Sequence, residues 1–325
     1  MKSVLIAHRD CEGYAEALAP ELAGLDVRLA NSLDAAGDAI DTAHIIMSGG
    51  PAFNEKIIAS ARNLEWIQAL TTGTDAITGC RNLAEKTLIT STRGIHGPQM
   101  SELIILLMLA LTRRFPRMLA NQARGEWERW PQSLLADKTV AILGVGAIAE
   151  HLAPSCKLFG LTVLGISQSQ RPVAGIDRIY GRDQILEVAG MADYFVVIVP
   201  YTPQTDKIVD KSVIAALKPS AFFINVARGG VLDEAALIEA LDERRIAGAG
   251  LDVFQTEPLP RESPLWGMDN VIITPKIGGM TDVYVEQTAP IIRHNLRAFL
   301  EGRPSDLMNR VPHDPHATSP MEKQP

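Results

Sequence analysis

A strand-forming run, Thr139-Val140-Ala141-Ile142-Leu143, passes directly into Gly144-Val145-Gly146-Ala147-Ile148-Ala149 and then into a helical stretch ending at Phe159-Gly160. No other feature restricts the fold as much. Gly-x-Gly-x-x-Ala between a strand and a helix marks the first βα turn of a dinucleotide-binding unit. Gly144 permits the tight turn, Gly146 lets the backbone approach a pyrophosphate, and the small Ala149 lets the helix pack closely on the strand. The amides that open the helix, at Ala147 and Ile148, supply the anion site together with the helix dipole, so no basic side chain is needed. The alternative is a tight βα turn with no ligand.

In such a unit a carboxylate at the end of the next strand takes the ribose hydroxyls of NAD. Counting along Val163-Leu164-Gly165-Ile166 brings Ser167 to that place, followed by Gln168-Ser169-Gln170-Arg171, with no Asp or Glu. Hydroxyls, amides and one guanidinium favour the 2′-phosphate of NADP, with NAD as the alternative. Arg171 reads equally as a solvated loop residue.

The remaining pattern repeats the βα alternation. Before the fingerprint come Val4-Leu5-Ile6-Ala7, a helix over 13–22, Val27-Arg28-Leu29, Ile45-Ile46-Met47 and Leu64-Glu65-Trp66-Ile67. After it come Leu161 to Ile166, Tyr194 to Val199, Ala221 to Val226, Ala249 to Val253 and Val271 to Thr274. Continuously apolar runs of this length suit strands buried on both faces of a parallel sheet. A long helix is predicted from Gly97-Pro98 through Leu111 to a break at Pro116, then a polar connecting segment over 121–138 and an amphipathic helix over 285–301. The tail from Val311 is read as disordered. At 325 residues the chain has room for two domains.

Composition excludes several classes of function. With 38 acidic and 31 basic side chains the net charge is −7, which gives no handle for a nucleic acid backbone. Three cysteines, Cys11, Cys80 and Cys156, are too few and scattered for a disulfide framework or a zinc site, and they suit a reducing cytosol. The N-terminus lacks the apolar core of a signal peptide. The longest apolar run, Leu103 to Leu111, has nine residues where a membrane span needs about 20. A cytoplasmic protein with no membrane partner is expected.

The chain resembles the D-isomer-specific 2-hydroxyacid dehydrogenases, which include glyoxylate/hydroxypyruvate reductases and phosphoglycerate dehydrogenases. The resemblance is carried, in order, by Thr72-Gly73-Thr74-Asp75, Gly97-Pro98 with Ser101-Glu102, the Gly144 fingerprint, Pro200-Tyr201-Thr202-Pro203-Gln204-Thr205, Asn225-Val226-Ala227-Arg228-Gly229-Gly230, Leu251-Asp252-Val253-Phe254, Glu257-Pro258-Leu259-Pro260 and Thr274-Pro275-Lys276-Ile277-Gly278-Gly279.

It implies two doubly wound parallel-sheet domains, with a Rossmann nucleotide domain (100–285) inserted in a flavodoxin-like substrate domain (1–99 and 286–312), and residues 313–325 left as a tail. It also implies an active site in the cleft between them, an NAD(P)-dependent exchange of hydride with a small 2-oxo or 2-hydroxy acid, and a homodimer. Leu103–Leu111 and the Trp127/Trp130 segment are candidate contacts for that dimer, although burial within one chain explains the apolar helix face equally well. Backbone amides of Thr72, Gly73 and Thr74 match a loop that binds the substrate carboxylate. Arg228 matches an arginine that grips the carboxylate and polarises the carbonyl, a task suited to a planar, permanently charged fork. Ala227 beside it is read as a cofactor-binding position, Asp252 matches a position that orients the nicotinamide carboxamide, and Pro200 one that lines the nicotinamide pocket. Gly73 as a plain turn residue, Arg228 in a surface ion pair and Asp252 satisfying buried amides are the structural alternatives.

One position departs from the family. The acid/base histidine after Thr-Pro is replaced by Lys276, while Glu257 matches its glutamate partner. Reduction of a ketone builds an alkoxide that must receive a proton, and an ammonium can donate it and stabilise the charge. Oxidation would require Lys276 to lose its proton, from an ordinary pKa of about 10.4. A site biased to reduction is therefore expected. A solvated lysine in a chain without catalysis, and a Schiff-base lysine, are the alternatives. His96 and His294 do not match the motif. The rival function is a dinucleotide-sensing protein of the corepressor type.

Overall fold

A computed structural model describes residues 1–313. In chain order the elements are β1 (Ser3–Ala7), α1 (Cys11–Ala17), α2 (Ala19–Leu22), β2 (Asp26–Ala30), α3 (Ala39–Thr42), β3 (Ile45–Ser48), α4 (Glu55–Ser60), β4 (Trp66–Ala69), α5 (Asp75–Thr78) and β5 (Leu88–Thr90). There follow α6 (Gly97–Thr112), α7 (Phe115–Arg124), β6 (Thr139–Leu143), α8 (Ala147–Leu158), β7 (Thr162–Ile166), β8 (Arg178–Tyr180), α9 (Ile185–Met191) and β9 (Tyr194–Val197). The last are α10 (Lys211–Ala216), β10 (Phe222–Asn225), α11 (Glu234–Asp242), β11 (Gly248–Leu251), β12 (Val271–Ile273) and α12 (Tyr284–Leu300). The chain forms two compact units, Met1–Ile95 with the segment from Thr281 onward, and His96–Met280. The sequence reading set these junctions after residue 99 and before residue 286.

The first unit is a five-stranded parallel sheet in the order β2-β1-β3-β4-β5, the flavodoxin-like arrangement. β1, β3 and β4 are buried along their whole length, which accounts for their unbroken apolar runs. A buried polar network fastens α12 to this sheet. The Trp66 indole N–H donates to Thr90 Oγ1 (2.9 Å), Thr90 Oγ1 donates to Gln68 Oε1 (2.7 Å), and Asn295 Nδ2 donates to the same oxygen (3.0 Å). Asn295 Oδ1 also accepts from the Met308 N–H (2.7 Å). Every side chain in this network is inaccessible to solvent.

The second unit is a seven-stranded parallel sheet in the order β12-β11-β10-β9-β6-β7-β8. Winding runs outward from β6 through β7 and β8, then returns to start β9 on the other side of β6. The switch point, where α/β sheets open a crevice for a ligand, lies between β6 and β9. On one face α6 packs through Met100, Ile104, Leu107, Met108 and Leu111 in a cluster with Val140, Ile142, Val196 and Ile224. α6 approaches α8 so closely that a Cβ on Gly97 would stand 3.0 Å from His151 Cβ, and Ser101 Oγ meets His151 Nδ1 at 3.2 Å.

Several local expectations change. The helix expected over 13–22 divides at Leu18, because Pro20 sits in the first turn of a second helix and opens it. Pro116 likewise opens α7 instead of ending the chain's helical course, and the reversal is made by Arg114 at φ 54°. α7 therefore takes the first four residues assigned to the connecting segment, up to the left-handed Gly125. β5 and β8 were not anticipated; each has three residues, too few for a periodic signal. The tail is ordered at its start, where the Val311 N–H donates to Ile89 O (2.9 Å) and His313 Nε2 meets Thr87 O (2.6 Å). The rest of it lies outside the described residues.

The Asn295 network makes a testable demand. Asn295→Leu leaves the Met308 backbone groups and one Gln68 lone pair without their partner, at a cost of about 2–3 kcal/mol. Urea unfolding should show a lower midpoint at unchanged slope, and a shift equivalent to under about 0.5 kcal/mol would mean that the network carries no stability.

Candidate active site

Strands that all run one way deliver all their following loops to one edge. In the second unit this edge holds Gly144 after β6, Ser167 after β7, Pro200 after β9, Arg228 after β10, Asp252 and Glu257 after β11, and Lys276 after β12.

Gly144 stands at φ 109°, and a Cβ there would meet Val199 N at 2.9 Å and the Ile198 carbonyl carbon at 3.0 Å. Only glycine fits the first position, and its neighbour is the end of β9 across the switch point. Gly146 is the N-cap of α8, and a Cβ built on it meets no atom within 4 Å, so the backbone is open to a ligand. Ala147 and Ile148 begin α8, where helical N–H groups lack intrahelical partners. Ala149 is fully buried against the sheet side. These features fit a dinucleotide pyrophosphate. At the end of β7 the Ser167 N–H donates to Tyr180 O (3.0 Å) and Ser167 Oγ accepts from the Ser169 N–H (3.2 Å). Gln168 is exposed, and Arg171 forms an ion pair with Glu150 of α8. Pro200 is exposed, with its carbonyl accepting from Thr205 Oγ1 (2.7 Å).

Arg228 is set by the turn after β10. Buried Asn225 accepts from the Ala227 N–H (3.0 Å) and donates to the Arg228 carbonyl (3.1 Å), and Arg228 Nη1 donates to Ala227 O (2.8 Å). The two glycines that follow stand in close quarters, the first against backbone and the second against a side chain. A Cβ on Gly229 would lie 1.9 Å from Phe254 O, and one on Gly230 would lie 2.6 Å from the Tyr201 ring.

Asp252, 3% exposed, is the anchor of the neighbouring loops. Its Oδ1 accepts from Thr274 Oγ1 (2.5 Å) and the Ile277 N–H (3.0 Å), and its Oδ2 from the Gly278 N–H (3.1 Å). The loop of β12 is thereby pinned to the end of β11. Lys276 sits inside that pinned turn at φ 55°, a left-handed conformation unusual for a side chain with a Cβ, and its N–H reaches Thr274 O (3.0 Å). Strain held in this way is a mark of functional loops. The Lys276 ammonium is ion-paired with Glu257 Oε2, while Glu257 Oε1 accepts from the Phe254 N–H (3.1 Å). The lysine and glutamate that the sequence singled out are partners.

His96, which does not match the motif, occupies the N-cap position of α6, and its ring lies against Gly279, where a Cβ would lie 3.3 Å from His96 Cδ2. Burial, reinforced by the Arg228 charge, lowers its pKa to about 4. His294, by contrast, belongs to α12 and meets Asp306 O (2.8 Å). In the first unit the loop Thr72-Gly73-Thr74 follows β4. Thr71 Oγ1 accepts from the Gly50 N–H (2.9 Å) and donates to Gly73 O (3.0 Å), and Thr74 precedes α5. Among the described residues no group of His, Cys, Asp and Glu side chains is placed to hold a metal ion.

A neutral His96 has a measurable signature. The unfolded chain binds this proton near pH 6.5 and the folded chain near 4, so the unfolded state holds more protons in between and stability falls as pH drops through that window. NMR titration should place the His96 midpoint near 4, and His96→Gln should flatten the acid limb of the stability curve. A native midpoint near 6.5 would contradict the burial.

Comparison with known proteins agrees with this architecture. The model of the D-isomer specific 2-hydroxyacid dehydrogenase NAD-binding domain matches residues 105–278. D-3-phosphoglycerate dehydrogenase of Methanocaldococcus jannaschii is 31% identical over 277 residues, covering 83% of this chain, which spans 52% of that enzyme's length. A D-isomer specific 2-hydroxyacid dehydrogenase family protein from Aeromonas salmonicida superposes with a TM-score of 0.88 at 33% identity, covering 96% of this chain and 99% of that one. The NADPH-dependent glyoxylate/hydroxypyruvate reductase of Sinorhizobium meliloti, solved with NADP and sulfate, superposes with a TM-score of 0.82 at 26% identity, covering 98% and 100%. With a family model matched over more than half its length, this chain belongs to the D-isomer specific 2-hydroxyacid dehydrogenases and carries their NAD-binding domain.

Proposed function

We propose that the protein is a reductase of small 2-oxo acids of the glyoxylate or hydroxypyruvate kind, drawing hydride from NADPH, with NADH as a poorer donor. The observation that carries this reading is the Lys276–Glu257 pair, held by Asp252 at the strand edge that also presents Arg228. Support for the dinucleotide comes from Gly144 and Gly146, and for the 2′-phosphate from Arg171 and the absence of a carboxylate at Ser167. The Sinorhizobium reductase, of like fold, is itself NADPH-dependent.

When bound, the dinucleotide supplies the hydride. Arg228 takes the substrate carboxylate and draws electron density from the carbonyl oxygen through its second N–H face. Lys276 gives a proton to that oxygen as negative charge develops on it, and takes a replacement from water. Glu257 fixes the ammonium and balances its charge, so that a long, flexible side chain keeps one position. Asp252 positions the Lys276 turn, and its remaining acceptor capacity suits the carboxamide that the resemblance assigns to it. Pro200 and Ala227 line the edge beside the reacting ring. The backbone amides of Thr72, Gly73 and Thr74 are assigned to the substrate carboxylate. The buried Cys11, Cys80 and Cys156, none joined in a disulfide, support a cytosolic location.

Absorbance at 340 nm with a panel of 2-oxo acids and both cofactors tests the reading. Saturable NADPH oxidation with glyoxylate or hydroxypyruvate is expected. Lys276→Ala should lower kcat by about 10²-fold or more, and Arg228→Lys should raise KM and lower kcat together. Cofactor binding without turnover on any 2-oxo acid would favour a dinucleotide sensor instead.

The homodimer is part of the proposal. α7 and the segment after it expose Phe115 (46%), Leu119 (50%), Trp127 (93%) and Leu134 (61%), a density of large apolar side chains that a lone chain does not need. Light scattering should report twice the chain mass, and Leu119→Glu with Trp127→Glu should reduce it to a monomer. An unchanged mass would move the interface elsewhere.

A further inference from the structure

Glu150 stands in the first turn of α8, the helix whose N-terminus is shaped to receive a pyrophosphate. A carboxylate there suits the helix dipole but adds negative charge beside an anion site. Its partner is the guanidinium of Arg171, which is the only cation within Ser167–Arg171 at the end of β7. The group available to a 2′-phosphate at this strand end is thus already engaged by an internal anion.

We propose that Glu150 is a specificity-determining residue, which competes with the cofactor's 2′-phosphate for Arg171 and so sets how strongly the protein discriminates NADPH from NADH. The inference rests on the NADPH reading above. Both side chains are about half exposed, 53% for Arg171 and 45% for Glu150, so the pair is screened and opens readily. A phosphate with nearly two charges and three acceptor oxygens displaces one carboxylate from a guanidinium. Competition of this kind grades the preference and leaves NADH usable, since without the phosphate Arg171 simply stays with Glu150.

The test is a double-mutant cycle on the full chain, read as Kd for NADPH and NADH and for 2′,5′-ADP against 5′-AMP. Glu150→Gln should tighten NADPH and 2′,5′-ADP about two- to five-fold more than it tightens NADH and 5′-AMP, the range expected of an exposed pair. Arg171→Ala should weaken only the 2′-phosphorylated ligands, and once Arg171 is gone Glu150→Gln should no longer favour those ligands over NADH and 5′-AMP. Three outcomes overturn the inference alone. Glu150→Gln leaves NADPH affinity unaltered, or weakens it because the carboxylate orients Arg171 productively, or tightens it equally in the Arg171→Ala background, which is plain repulsion. If the unaltered protein binds NADPH no better than NADH and Arg171→Ala changes neither, the NADPH reading itself fails.

Discussion

The parallel direction of β6, β9, β10, β11 and β12 is the constraint on which the site depends. Residues as far apart in sequence as Gly144 and Lys276 share an edge because each follows the carboxyl end of its strand. The interior that enforces this direction is dry. Ala141, Ile142, Phe195, Val196, Phe223, Ile224, Ala249 and Leu251 are all fully buried, and helices on the faces are what make such strands possible. A change in this core would therefore reach the chemistry only through the loops, by moving strand ends relative to one another.

Asp252 converts that general layout into a defined position for one ammonium. With three donors on a carboxylate that is almost inaccessible, the turn after β12 cannot shift without leaving a buried charge poorly satisfied. The left-handed backbone of Lys276 is the local strain this anchoring sustains. The two sequence-level readings of Asp252, a ligand to a carboxamide and an acceptor for buried amides, are compatible. A carboxylate offers about four acceptor directions, and the loop uses three of them.

The legibility of the molecule in its sequence follows the length and chemistry of its signals. Buried strands such as Val4–Ala7 and Thr139–Leu143 read as unbroken apolar runs, and the Gly144 turn as spacing, because each is a local matter. β5 and β8 are too short to show a period, and Pro116 opens a helix because the preceding Arg114 makes the turn, which composition does not reveal. The Lys276–Glu257 pair was legible only through the family resemblance, which matches Glu257 to the partner of the residue at position 276. His96 was not, since its environment is made by Arg228 and Gly279, which lie far along the chain and meet it only in the fold. A histidine two residues before a helix-opening proline carries no local sign of that company.

A lysine at position 276, where the resemblance expects a histidine, changes what the turn after β12 has to hold in place. An imidazole is rigid, and its ordinary pKa lies near neutrality, so it can serve both directions of a hydride transfer. An ammonium on a four-carbon stem is a compact, flexible point charge, and it needs a partner to stay in place. Glu257 is that partner, itself tied to the Phe254 amide, and the turn held by Asp252 fixes the base of the stem. The arrangement holds one ammonium, balanced by one carboxylate, at the strand edge that also presents Arg228.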